Sequence, residues 1–162
     1  MSPSQRESSA GALLGASAVD AVLPTDLERI RPIRRCVEGL LASEGWCEED
    51  AADVGLVVTE LLQNAIEHGS RGDGLESVTL RCTVPAKGTV LIDVTDPGTG
   101  KGLASLLGRD VTTPPPIDAV RGRGLFLVHR MSKSLERAGG AEGRSVVRIR
   151  FLATSAPDEG AS

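Results

Sequence analysis

A chain of 162 residues, 40% of them hydrophobic, is long enough for one domain with its own core and short for two. A net charge of −4 argues against a nucleic-acid binder, and no stretch is apolar enough to span a membrane or to serve as a secretory signal. The three cysteines include no CxxC pair. We therefore expect a cytoplasmic protein with free thiols that contacts neither nucleic acid nor membrane directly.

The first predicted elements are a tail, a short strand and a helix. Residues 1–15, rich in serine and small side chains, are expected to be disordered, and 16–23 to form a strand. Thr25 is the predicted N-cap of the helix, whose apolar repeat runs to about Ser43. Pro32 lies inside that repeat, so the helix is predicted to start late or to bend there.

The second predicted helix, about residues 48–68, separates a polar stripe from an apolar face. The stripe contains Asp53, Glu60, Asn64 and Glu67. Gly69 is interpreted as the C-terminal stop. Because a surface helix needs no such separation, the pattern predicts a helix that forms one wall of a polar pocket and has its back in the core.

The rest of the chain predicts a sheet interrupted by a long loop. Strands are expected at 77–84, 89–95, 135–140 and 146–151, a loop at about 101–121, a third helix after it, and a disordered tail at 154–162. The order of these elements predicts a single α+β domain over residues 16–153. We expect a two-layer sandwich, with a mostly antiparallel mixed sheet and about three helices on one face.

Two groups of residues suit nucleotide chemistry. Glu60 and Asn64 lie one helical turn apart, where a carboxylate can accept a proton and an amide oxygen can bind magnesium. Asp96 ends a strand before Gly98 and Gly100, so its carboxylate could accept a hydrogen bond from the amine of adenine. A solvated helix face and an ordinary Asp-Pro-Gly turn are the alternative interpretations.

A third group opens the third predicted helix. Gly122 and Gly124 leave backbone amides free to bind an anion, and Arg121 and Arg123 add positive charge. The pattern does not follow a strand in a βαβ unit, so the dinucleotide-binding fingerprint does not apply. A glycine-rich helix start without a ligand is the alternative.

In this order, the three groups resemble the N, G1 and G2 boxes of the Bergerat-fold ATPases, the superfamily of gyrase and the histidine kinases. The resemblance covers roughly residues 25–151. Within the superfamily, Glu60-Leu-Leu-Gln-Asn64-Ala-Ile-Glu-His68-Gly69 is similar to the ExxxNAxxHG pattern of the anti-sigma factor serine/threonine-protein kinases. The chain shows no helix pair with a phosphoryl-accepting histidine and has no room for a gyrase-like transducer domain.

The resemblance implies a role for each matching residue. It makes Glu60 the general base, Asn64 the magnesium ligand and Asp96 the acceptor of the adenine amine, helped through water by Ser145, which stands where the branch has threonine. Arg121, or failing that Arg123, assists the γ-phosphate, and residues 101–121 form the lid. The residues expected to contact ATP are Asn64, His68, Asp96, Gly98, Gly100, Arg121, Gly122, Arg123, Gly124, Leu125 and Ser145.

The function implied is that of an ATP- and Mg²⁺-dependent kinase that phosphorylates a small anti-anti-sigma protein and regulates sigma-factor-dependent transcription. A sigma factor is a second expected partner, and a homodimer formed through the sheet or the first helix is the expected assembly. The alternative is a non-catalytic ATP-binding module that sequesters a protein; the prolines at 114–116 favour it. A small globular domain with accidental motifs is the third interpretation.

Overall fold

The fold is an antiparallel five-stranded sheet with two long helices packed on one face. The computed structural model describes residues 17–71, 73–98, 114, 116–118, 126, 128–130, 132–139 and 145–154. The strands are β1 (Ser17–Pro24), β2 (Ser77–Ala86), β3 (Thr89–Thr95), β4 (Ser132–Gly139) and β5 (Ser145–Leu152), and the helices are α1 (Ile30–Ser43) and α2 (Glu48–Gly69). Their spatial order is β1-β2-β3-β5-β4, with every neighbouring pair antiparallel. The predicted α+β class is confirmed, and the described sheet is antiparallel throughout rather than mixed.

The inner face of the sheet forms half of the core because the strands alternate apolar and polar residues. The buried strand residues are Leu23, Val78, Leu80, Cys82, Val84, Val90, Ile92, Val94, Val147, Ile149 and Phe151. They pack in one cluster with the apolar faces of α1 and α2. Branched aliphatic side chains therefore supply nearly all of the core, as the scarcity of aromatic residues requires.

The outer face of the sheet carries charges of alternating sign. The strand register aligns Asp20 with Arg81, Arg81 with Asp93, and Asp93 with Arg148. Arg148 donates from Nε and Nη2 to the two oxygens of Asp93 at 2.8 and 2.9 Å, and Arg81 Nε lies 3.6 Å from Asp20 Oδ1. Opposite charges on neighbouring strands stabilise this face while keeping it polar.

The start of α1 differs from the prediction in two ways: the capping residue is one position later, and a 3₁₀ turn precedes the helix. Asp26, not Thr25, is the capping residue: its carboxylate accepts a hydrogen bond from the Glu28 backbone N–H at 3.0 Å. A 3₁₀ turn over Leu27–Arg29 leads into the helix. Pro32 is the third residue of α1, where the missing backbone N–H disrupts no helical hydrogen bond, so the predicted late start is correct.

Helix α2 has its apolar back in the core, as predicted. Its fully buried residues are Val54, Val57, Val58, Leu61, Leu62 and Ala65. At its start, Cys47 Sγ accepts the Asp50 backbone N–H at 3.5 Å. Where α2 crosses α1, Gly55 leaves space for the side chain of Glu38, which accepts a hydrogen bond from Arg34 Nε at 2.6 Å. The missing side chain at Gly55 lets the two helices approach.

Asp50 ties the start of α2 to the end of β5. Its carboxylate is buried and accepts two hydrogen bonds from Thr154, one from the backbone N–H at 2.9 Å and one from Oγ1 at 2.6 Å. The predicted start of the C-terminal tail, residue 154, is thus a residue that the domain holds in place.

Parts of the prediction lie outside the described residues. They include residues 1–16 and 155–162 of the tails and the predicted lid, apart from 114 and 116–118. Residues 126 and 128–130 are helical, as expected of the third helix, and Val128 packs in the core. Among the described residues, no helix has the length and apolar character needed to cross a bilayer.

Candidate functional site

Two polar side chains of α2 are buried side by side on its polar face. Glu60 is 9% exposed and Asn64 6% exposed, and they lie one turn apart. Neither side chain makes a hydrogen bond or an ion pair with another described residue, and neither is among the residues whose side-chain polar atoms are wholly buried without a partner, Thr25 and Trp46. A largely buried carboxylate and amide that have no partner among the described residues are available to a ligand.

Asp96 forms the second part of the site, just beyond the end of β3. Its side chain is fully buried, and its Oδ1 accepts the backbone N–H of Gly98 at 2.9 Å. Gly98 adopts φ of 78°, a left-handed conformation that favours glycine. The Asp-Pro-Gly sequence is therefore a tight turn that fixes the orientation of the Asp96 carboxylate.

The end of α2 brings the two parts of the site together. Gly69, the last residue of the helix, lies directly against the side chain of Asp96. Along α2, Glu60 and Asn64 are separated by roughly 6 Å of helical rise, and Asn64 and Gly69 by roughly 7.5 Å. Glu60 and Asn64 thus lie on the same helix whose last residue contacts Asp96, the carboxylate expected to bind the base.

Two further predicted residues lie at the margins of this arrangement. His68 is one turn beyond Asn64 and partly exposed, with Nε2 4.0 Å from a Glu67 carboxylate oxygen. Ser145 opens β5, and because Val146 pairs with Thr95, the register places Ser145 beside Asp96 at the end of the sheet. The remaining predicted ATP contacts, Gly100, Arg121, Gly122, Arg123, Gly124 and Leu125, lie outside the described residues.

Asp53, the first member of the predicted stripe, lies in an acidic environment at the other end of the polar face. Burial and the neighbouring charges of Glu49 and Asp50 raise the pKa of Asp53, and the charge of Arg130 opposes them. Arg130 therefore approaches the first turns of α2. This part of the stripe faces charged protein groups, whereas the side chains of Glu60 and Asn64 have no partner among the described residues.

A cationic groove between α1 and α2 was not predicted. It encloses about 460 Å³ and is lined by Leu27, Ile30, Arg31, Arg34, Arg35, Glu38, Thr59 and Gln63. Three arginines against one glutamate give it positive charge in a protein whose net charge is −4. The arginines at 31, 34 and 35, spaced to share one helix face, were the sequence signal for it.

A comparison with known protein families identifies the family of the chain. Residues 23–151 match the family described as histidine kinase-like ATPase domain. The chain belongs to this family. Membership of an ATPase-domain family implies that the chain binds ATP. Curated protein sequences gave no match to the chain.

Two solved structures share the fold of this ATPase domain. The structure of the RsbU and RsbW domains of Rv1364c from Mycobacterium tuberculosis has a TM-score of 0.59 and 19% identity, and the match covers 85% of this chain and 32% of that one. The SiaB–SiaC complex from Pseudomonas aeruginosa has a TM-score of 0.56 and 18% identity, covering 83% and 89%. The chain thus spans about a third of the length of the first. At these identities the likeness establishes the fold.

Proposed function

We propose that this ATPase domain is a serine/threonine-protein kinase of the anti-sigma factor type. The observation that carries the proposal is that Glu60 and Asn64 are buried without partners among the described residues, on the helix whose end contacts Asp96. The match of Glu60 to Gly69 with the anti-sigma kinase pattern supports the branch. The structural likeness to an RsbW domain agrees with it at the level of the fold.

In this proposal each residue acts at a defined atom. The Glu60 carboxylate accepts the proton of a serine hydroxyl while the serine oxygen bonds to the γ-phosphorus and the bond from that phosphorus to the bridging oxygen of ADP breaks. Asn64 Oδ1 and phosphate oxygens would hold Mg²⁺, which neutralises phosphate charge when bound. Asp96 accepts the amine of adenine, and His68 lies at the rim. The residues present fit this ligand because the buried amide and carboxylate have no described protein partner to displace.

The proposed substrate is a small anti-anti-sigma protein, with a sigma factor as a second partner. The cationic groove supports a partner with an acidic docking surface, because Arg31, Arg34 and Arg35 would attract carboxylates. The SiaB–SiaC complex shows that a protein of this fold can bind a protein partner.

We also propose a homodimer. A two-fold axis parallel to the strands would reverse the row Asp20, Arg81, Asp93, Arg148 in the second copy, so that each carboxylate on the outer face of the sheet would face an arginine. Sedimentation of the full chain as a monomer would exclude the dimer.

The proposed function is tested first by ATP binding and then by transfer. Titration calorimetry of the full chain with Mg-ATP should show binding, and Asn64→Ala should weaken it about tenfold or more because a ligand of the metal is lost. Gln63→Ala, a change in the adjacent residue that faces the groove, should bind ATP as the wild type does.

Transfer of label from γ-labelled ATP to a serine of an anti-anti-sigma protein of the same organism is the decisive result. Binding of ATP without transfer to any such protein would favour the non-catalytic module. Absence of ATP binding would overturn both interpretations.

A further inference from the structure

The contact between Gly69 and Asp96 is closer than any other residue type would allow. A Cβ atom added to Gly69 would lie 2.5 Å from Asp96 Cβ, 2.9 Å from Cγ and 3.0 Å from Oδ2. All three of its nearest neighbours thus belong to the one carboxylate that the nucleotide site uses for the base. Cβ atoms in proteins do not approach other heavy atoms within 3.0 Å, so a side chain here forces a shift.

The backbone conformation does not explain this glycine. The glycines with positive φ in the described chain are Gly45, Gly74, Gly88 and Gly98, whereas Gly69 keeps a helical backbone at the last position of α2. The helix ends because Ser70 is extended and its Oγ donates back to the Ile66 carbonyl. The helix thus ends at Gly69, as predicted, but Gly69 itself stays helical rather than left-handed, and alanine is compatible with its backbone.

Asp96 has little freedom to move away from a side chain at position 69. Its Cβ is fixed by the backbone, which rotation of the side chain cannot change, and Thr95 before it pairs with strands on both sides. Its Oδ1 is held by the Gly98 N–H. A methyl group at position 69 must therefore displace the Asp96 carboxylate or separate the end of α2 from the end of β3.

We propose that Gly69 is a positioning residue that sets selectivity for adenine by letting the end of α2 close onto Asp96. This inference rests on the proposed nucleotide site and deepens it. Because Asn64 and Gly69 belong to one helix, the element that presents the proposed magnesium-binding amide also positions the proposed base-binding carboxylate. Gly69 touches no nucleotide itself; it acts through the position of Asp96.

The test compares two nucleotides in three proteins. Titration calorimetry measures binding of ATP and of purine riboside triphosphate, which has the purine ring without the 6-amino group. The wild type should prefer ATP by about tenfold or more, the effect of a hydrogen bond to a charged group. Gly69→Ala should lose most of this preference by weakening ATP binding, with binding of the amine-free nucleotide changed less than about threefold. A merely structural role would weaken both nucleotides alike.

Gly39→Ala in α1 is the matched control. A Cβ added there meets nothing within 4 Å, so this variant should keep the wild-type preference and unfold at the same or a higher temperature. Retention of the preference by Gly69→Ala overturns the inference while leaving the proposed function intact. Absence of the preference in the wild type overturns the role of Asp96 and the inference together.

A second variant covers the case in which Gly69→Ala does not fold. In the double variant Gly69→Ala with Asp96→Gly, position 69 gains a methyl group and position 96 loses its side chain. The three close atoms, Cβ, Cγ and Oδ2 of Asp96, are then absent. It should regain cooperative thermal unfolding, because the steric conflict is then gone. If it stays unfolded, the conflict does not lie with Asp96 and the inference is wrong.

Discussion

Two buried carboxylates lie on the same helix and differ in what surrounds them. Asp50, 2% exposed at the start of α2, accepts two hydrogen bonds from Thr154. Glu60, almost three turns later, is 9% exposed and has no partner among the described residues. Partners make the first carboxylate a structural link, and their absence leaves the second available to a substrate. Burial alone would not distinguish them.

The largest expected effect is on phosphoryl transfer. Glu60→Gln keeps the shape of the side chain and removes its basicity, so transfer to a partner serine should fall about 100- to 10,000-fold. ATP binding should be retained, and the free energy of unfolding should change by less than about 0.5 kcal/mol because no hydrogen bond or ion pair with a described residue is lost. Transfer assays beside urea denaturation measure both. Glu48→Gln, an exposed position in the first turn of the same helix, is the control. Transfer at the wild-type rate by Glu60→Gln would remove Glu60 from the mechanism.

The same chemical change at Asp50 should have the opposite result. In Asp50→Asn, the amide oxygen can still accept the Thr154 N–H and the amide nitrogen can donate to Thr154 Oγ1, but both hydrogen bonds lose the charge of the carboxylate, which should lower the free energy of unfolding by about 2 kcal/mol. For a chain of this length that corresponds to roughly 6 °C in Tm. ATP binding should be unchanged at temperatures where the variant is folded. Thr154→Val, which removes only the Oγ1 donor, should cost about half as much. Equal stability of Asp50→Asn and the wild type would show that the link does not hold β5 to α2.

Asp53, between these two positions, should respond to pH. Its pKa in the folded protein is raised above 3.8 by burial and by Glu49 and Asp50, so the ionised form is disfavoured in the folded state. Folding then takes up protons between 3.8 and the raised pKa, and stability falls as pH rises through that window. Asp53→Asn should therefore be more stable than the wild type near neutral pH, by roughly 0.5 kcal/mol or less since the group is partly exposed. The gain should fade as pH decreases toward 3.8 in urea denaturation, and a gain independent of pH would contradict this assignment.

The smallest expected effect is on the reactivity of the cysteines, which reports directly whether the core is intact in these variants. Cys36 and Cys47 are exposed and Cys82 is buried, and burial raises the pKa of the Cys82 thiol to about 12. A thiol reagent at mildly alkaline pH should modify two cysteines promptly and the third only on unfolding. Glu60→Gln should keep this pattern, whereas Asp50→Asn should expose Cys82 sooner on heating. Prompt modification of three thiols in the wild type would contradict the described core.

The sequence predicted those helices and strands whose formation depends on residues close together in the chain. The polar stripe of α2 and the strand at Thr89–Thr95 were visible because helices repeat every 3.6 residues and strands every two. The strand Ser132–Gly139 was predicted only for its second half, because Ser-Lys-Ser-Leu-Glu-Arg has no apolar alternation. Asp26 was missed as the cap because Thr25 beside it is an equally good capping residue by type.

Contacts between distant residues could not be predicted. Asp50 and Thr154 are 104 positions apart, and nothing near either residue indicates the other. The same holds for Gly69, whose place at a helix end suggested a stop, while its contact with Asp96 depends on how α2 meets β3. The order of Glu60, Asn64 and Asp96 along the chain was recognisable as a family pattern, but their burial follows only from the fold.

The position of β5 determines when the sheet can be completed during synthesis of the chain. This strand is the last of the described strands along the chain, yet it lies between β3 and β4 and pairs with both. Until residues 145–152 have left the ribosome, β3 keeps one unpaired edge, β4 has no described neighbour, and Asp50 lacks Thr154. An open edge of apolar, β-branched residues is a template for pairing with other chains. Release of β5 and Thr154 is thus the event that joins β3 to β4, covers the exposed edge of β3 and secures the start of α2.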